Sequence, residues 1–144
     1  MKKRLLSLVS LLLVVLLIAA ATVCFSSCAP KTTETGATIT ETHTVGEGAT
    51  TITVSVVNDK QEAAVFTIHT NATTLRGALE ENKLVEGSDS QYGLFIESVN
   101  GLRADSSANG AWWAIYIGSE MASTGVDGIT LTDGGSYSLI YTIG

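Results

Sequence analysis

The sequence predicts an α+β domain of about five strands and one helix. Two observations carry that expectation. Runs of strand length, several alternating apolar and polar residues, recur at 51–57, 63–70, 93–99, 111–117 and 136–143. A single stretch, 71–87, changes to the helical period. One helix on one face of a mixed sheet is the arrangement this order suits.

The first run, "TITVSVV", sets Ile52, Val54 and Val56 against Thr51, Thr53 and Ser55. "NDKQ" reads as a turn, and "AAVFTIHT" places Phe66 and Ile68 opposite Thr67 and His69, which completes a hairpin. In "NATTLRGALEENKLVEG", Leu75, Ala78 and Leu79 share a helical face, with Glu80 and Glu81 on the far side. Thr73 or Thr74 can cap its start and Gly87 can end it. Gly77 costs about 1 kcal/mol against alanine, so this helix depends on its neighbours. "GLFIESV", "AWWAIYI" and "SYSLIYTI" close the chain as three strands.

The ends set a location. Lys2, Lys3 and Arg4 precede an uncharged apolar run from Leu5 to Val23. This is the pattern of a secretory signal, residues 1–27; a retained membrane anchor is the alternative. Phe25-Ser26-Ser27-Cys28 resembles a bacterial lipobox, with small residues before the cysteine and Phe25 departing from the usual leucine. Cys28 is therefore the expected lipidation site, and the outer face of the cytoplasmic membrane is the expected location. Residues 28–48 are rich in Thr, Glu and Gly and poor in large apolar residues, so a flexible tether is expected there. The folded domain is expected over 49–144.

From Cys28 onward, five basic side chains face fourteen acidic ones, a net charge of −9. That balance argues against nucleic acid as a partner. No cysteine follows Cys28, so neither a disulfide framework nor a thiolate metal site is expected. His43 and His69 lack a partner at ligand spacing on one element. The Asp127-Gly128 and Asp133-Gly134 pairs lack the calcium-loop pattern, and no Gly-x-Ser-x-Gly elbow occurs. No metal site, required cofactor or enzymatic activity is expected.

Several short motifs occur together: Tyr92-Gly93-Leu94-Phe95, Val99-Asn100-Gly101, the Ala-Trp-Trp-Ala run from Ala111 to Ala114, Gly118-Ser119-Glu120, Gly125-Val126-Asp127 and Asp133-Gly134-Gly135. From about Thr50 onward the chain resembles domain-of-unknown-function family 4430, also described as transcobalamin-C-terminal-like. The resemblance implies a ubiquitin-like β-grasp domain with the order ββαβββ, similar to the small β domain of the vitamin B12 carriers. It also implies a secreted or lipid-anchored protein of a Gram-positive bacterium. Cobalamin or a related corrinoid follows as the candidate ligand, captured for a membrane transporter. A cell-surface interaction or adhesion module without a small ligand is the alternative.

The adjacent tryptophans locate the candidate site. Neighbouring strand residues point to opposite faces, so Trp112 and Trp113 cannot share one core. Trp113 and Ile115 are assigned to the core. Trp112 and Tyr116 flank Ala114 on the other face, either free to meet a ligand or packed beneath the 100–110 loop or against the sheet edge. Trp112, Tyr116 and Tyr92 are the candidate ligand-binding residues.

Overall fold

The computed structural model describes residues 29–144. Cys28 and the signal-like start lie outside the described residues. The strands are β1 (Thr38–Gly46), β2 (Thr50–Val57), β3 (Glu62–Thr70), β4 (Val85–Ser90), β5 (Gly93–Val99), β6 (Leu102–Arg103), β7 (Ala111–Ile117), β8 (Glu120–Met121) and β9 (Ser136–Ile143). Two short helices accompany them, α1 (Leu75–Glu81) and α2 (Ser106–Asn109). A six-stranded mixed sheet runs β1-β3-β2-β9-β7-β8, and a three-stranded sheet runs β4-β5-β6.

This corrects the expected fold class. The domain is mostly β, with nine strands in two sheets, and is not an α+β β-grasp of order ββαβββ. The five expected strands and the central helix all form; what differs is what covers the sheet. Helix α1 has seven residues, about 10 Å of helix. It buries only Leu75, Ala78 and Leu79. Leu84, Val85, Ile96 and Val99, on or beside the small sheet, complete the layer over Ile52, Val54, Phe66 and Leu139. The helix also stops early. Thr74 caps its start, accepting from the Gly77 N–H at 3.3 Å, and Asn82 ends it. The residues expected to finish the helix, Val85 onward, instead pair with β5 as β4.

The expected tether also changes. Residues 38–46 form β1, parallel to β3. A β-branched, threonine-rich segment is a good strand former even where it cannot build a core. As an edge strand it needs mainly backbone pairing and a few anchors. Val45 packs on the main core, and the His43 ring stacks on Phe66 at 5.0 Å. Ahead of β1, Ala37 is buried with Val57 and Ala63, which places the start of the described chain against the opposite face of the large sheet. No helix among the described residues is long and apolar enough to cross a membrane.

One polar clamp ties helix, hairpin and loop together. Arg76 of α1 pairs with Asp127 and Asp89 at 2.8 Å and with Glu80 at 2.9 Å. The other Asp127 oxygen accepts the Leu94 N–H at 2.8 Å, at the start of β5. Gly93, with φ +100, leaves the room this needs: a Cβ there would lie 2.5 Å from the Asp127 carboxylate. The Tyr-Gly and Gly-Val-Asp motifs are thus joined in space as one structural joint. The Arg76 guanidinium and the Leu94 N–H hold the Asp127 carboxyl below the usual carboxylate range.

Candidate functional site

The strand alternation separates the two tryptophans. Trp113 is 5% exposed and meets Tyr141 edge-on, with ring centroids 5.5 Å apart. Its buried indole N–H has no acceptor among the described residues. Ile115 packs half-buried beside it on the same core. Trp112 is 42% exposed, a large apolar surface to leave in water.

Trp112 borders a cleft of about 160 Å³ between β7 and β5. Leu94, Phe95, Ile96 and Ala104 form its other wall. Phe95 is 57% exposed, so the two aromatics flank an opening whose lining side chains are all apolar. The indole N–H groups of Trp112 and Trp113 are the side-chain hydrogen-bonding groups among them.

The three expected ligand residues do not converge. Tyr116 shares the Trp112 face of β7 but lies four residues on, about 13 Å along the strand. It is half-buried and does not line the cleft. Tyr92, 86% exposed, sits at the β4–β5 turn, where its N–H donates to Ser90 Oγ at 3.1 Å, and it too is absent from the lining. Phe95 is the residue that sequence reasoning missed. Its signal was available: Leu94-Phe95-Ile96 is apolar on both alternating faces, so one of the three must leave the core.

A second opening, about 290 Å³, lies between the β2–β3 turn and the β5–β6 turn. Val56, Val99 and Trp113 line it together with polar residues that include Glu41, Asp59 and Glu62. Neither histidine joins it. His43 lies within 3.2 Å of Glu41, and His69 Nδ1 is 3.0 Å from Thr51 Oγ1. Among the described residues no group of three His, Cys, Asp or Glu side chains is placed to hold a metal ion.

Residues 72–136 match the family model described as Domain of unknown function (DUF4430). A solved structure of a candidate metal-binding protein from Ruminococcus gnavus ATCC 29149 is similar at 36% identity and a TM-score of 0.64, covering 67% of this chain and 99% of that one. The chain belongs to the DUF4430 family. Its fold is also similar to part of haptocorrin, solved in complex with Cbi, at 17% identity and a TM-score of 0.55. That likeness covers 65% of this chain but only 25% of haptocorrin. It supports the transcobalamin-like description of the DUF4430 fold. No protein of curated function matches the chain.

Proposed function

We propose that this DUF4430 domain is a binding module, lipid-anchored through Cys28 at the outer face of the cytoplasmic membrane, whose Trp112–Phe95 cleft receives the apolar edge of a small ligand. A corrinoid presented to a membrane transporter is the leading case. The observation that carries the reading is the pair of exposed aromatics across an apolar cleft. The shared fold with part of a protein solved with Cbi supports the choice of ligand.

Size sets the mode of binding. A pocket that encloses a small ligand usually holds about 300–1,000 Å³. The cleft, at about 160 Å³, takes an edge or a substituent and leaves the rest of a corrin ring outside. The domain then acts as half of a site, and a second surface completes it. The net charge of −9 beyond residue 27 gives no cationic clamp, so contact is apolar with main-chain hydrogen bonds.

The test is calorimetric titration of the full chain in detergent with cobinamide and cobalamin, repeated with Trp112→Ala and Phe95→Ala. The expected result is weak binding that both substitutions reduce. No heat up to about millimolar ligand, equivalent to about −4 kcal/mol, removes the corrinoid reading for this chain alone. Heat unchanged by both substitutions keeps the ligand and discards the cleft. The interaction-module reading draws on a specific observation too: Tyr92, Phe95, Trp112 and Met121 are all exposed, and exposed apolar surface can mark a protein contact.

A further inference from the structure

The main chain of β7 leaves four polar groups without a partner among the described residues, all on the side that faces the Trp112 cleft. Hydrogen-bond parity identifies them. Gly118 N donates to Ser136 O at 2.8 Å, and Gly144 N donates to Gly110 O at 3.2 Å. In the antiparallel register with β9, the even-numbered residues therefore turn N–H and C=O toward β9, and the odd-numbered ones turn away. Ala122 N confirms the parity by donating to Ile115 O at 2.8 Å.

Strand β8 pairs with Tyr116 and Ile117, and Ala122, opposite Ile115, is the last residue in its lane beside β7. The Ala111 N–H is taken by Asn109 Oδ1 at 3.1 Å. What remains is the Ala111 C=O, the Trp113 N–H and C=O, and the Ile115 N–H. Ala111 and Trp113 are buried, and a buried backbone group without a partner is costly. The facing side chains, Leu94, Phe95, Ile96 and Ala104, carry no donor or acceptor.

We propose that the cleft accepts an extended peptide segment, which adds to β7 as an antiparallel strand in the lane where β8 stops. This rests on the same cleft as the ligand reading and names a different occupant for it. Beyond Ala122, the Ala111 C=O and the Trp113 N–H and C=O alternate as acceptor, donor, acceptor over a step of about 6.8 Å, which is the pattern a β main chain matches. One peptide residue exchanges both hydrogen bonds with Trp113, and its side chain enters the cleft. About 160 Å³ suits a small side chain there. The residue after it projects with Trp112, where an aliphatic or cationic side chain lies against the indole. The acidic domain favours a basic segment.

The probe is acetyl-Ala-Val-Lys-Val-Lys-amide, titrated into the ¹⁵N-labelled full chain, alongside the same peptide N-methylated at its alanine. The expected result is movement of the Trp113 amide signal, slower hydrogen exchange there, and binding at least about tenfold weaker after N-methylation. No movement at that amide up to about millimolar peptide overturns the proposal. So does equal binding of the N-methylated peptide, or a Trp113 amide already protected from exchange in the free chain. Cobinamide titrated into the same sample separates the two readings. Cobinamide heat without a peptide response removes strand addition and keeps the small ligand. A peptide response without cobinamide heat supports strand addition and removes the corrinoid.

Discussion

Replacing each tryptophan by alanine divides structure from recognition on one strand. Trp113 is 5% exposed and packs edge-on against Tyr141. Removing a buried Trp side chain costs about 3–5 kcal/mol, because the surrounding core relaxes only in part. An aromatic pair adds about 0.5–1.5 kcal/mol to area burial. Against a whole-domain stability of about 5–15 kcal/mol, Trp113→Ala is expected to leave the domain marginal or unfolded. Trp112 is 42% exposed and hides roughly half its surface. Full burial of a large apolar side chain is worth about 1.5–3 kcal/mol, so Trp112→Ala is expected to lose about 1 kcal/mol. At roughly 4 °C per kcal/mol for a domain of this size, the melts separate by more than about 10 °C. The assay is thermal unfolding by far-UV circular dichroism, checked in urea. Equal losses refute the face assignment, and a larger loss at Trp112 reverses it.

Starting the chain at residue 48 removes β1 and exposes the edge of β3; such a fragment is expected to melt lower than residues 29–144 and to self-associate, checked by melting and light scattering. Asp127→Asn tests the clamp through pH. The folded pKa of Asp127 is depressed, so its stabilisation is present above the unfolded value of about 3.9 and is lost as pH falls through the folded pKa. The variant is expected to be less stable at neutral pH and to lose less on acidification below about pH 4, read from urea midpoints across pH. Cys28→Ala in a Gram-positive host is expected to release the domain or leave an unprocessed precursor, seen by fractionation and mass; a membrane-bound product of wild-type processed mass rejects lipidation at Cys28.

Much of the large sheet was legible because its strands carry their partners' pattern. Ile52, Val54 and Val56 alternate, and each faces an apolar residue of β3 in register. Trp113 was legible as core for the same reason. Strand β1 was not, because an edge strand held by backbone pairing leaves little hydrophobic pattern, and "TITETHTVG" reads equally as a solvated linker. Strand β4, "VEGSDS", buries only Val85, and its pairing depends on a turn and on the clamp at Arg76 and Asp127. The cleft was half legible. Alternation along β7 put Trp112 outside the core, but its partner Phe95 comes from another sheet. Sequence adjacency on one strand suggested Tyr116 instead, which the 3.3 Å rise per residue carries out of reach.

Gly93 and Asp127 form a joint, Trp113 fills the core, and Asp133 accepts the Thr51 N–H at 2.8 Å to hold a loop against β2. Each of these side chains answers to folding, and of them Trp113, 5% exposed, also lines the cleft. The side chains left at that opening are Trp112 and Phe95, one from each sheet, on strands whose other faces are fixed by packing. An occupant of the cleft would bridge the two sheets where no hydrogen bonds among the described residues join β5 to β7. Binding is therefore expected to stiffen that seam as well as to cover apolar surface. Hydrogen exchange along β5 and β7 in the presence of a ligand measures this directly. Protection confined to β7 would place the occupant on the strand edge alone and remove Phe95 from the site.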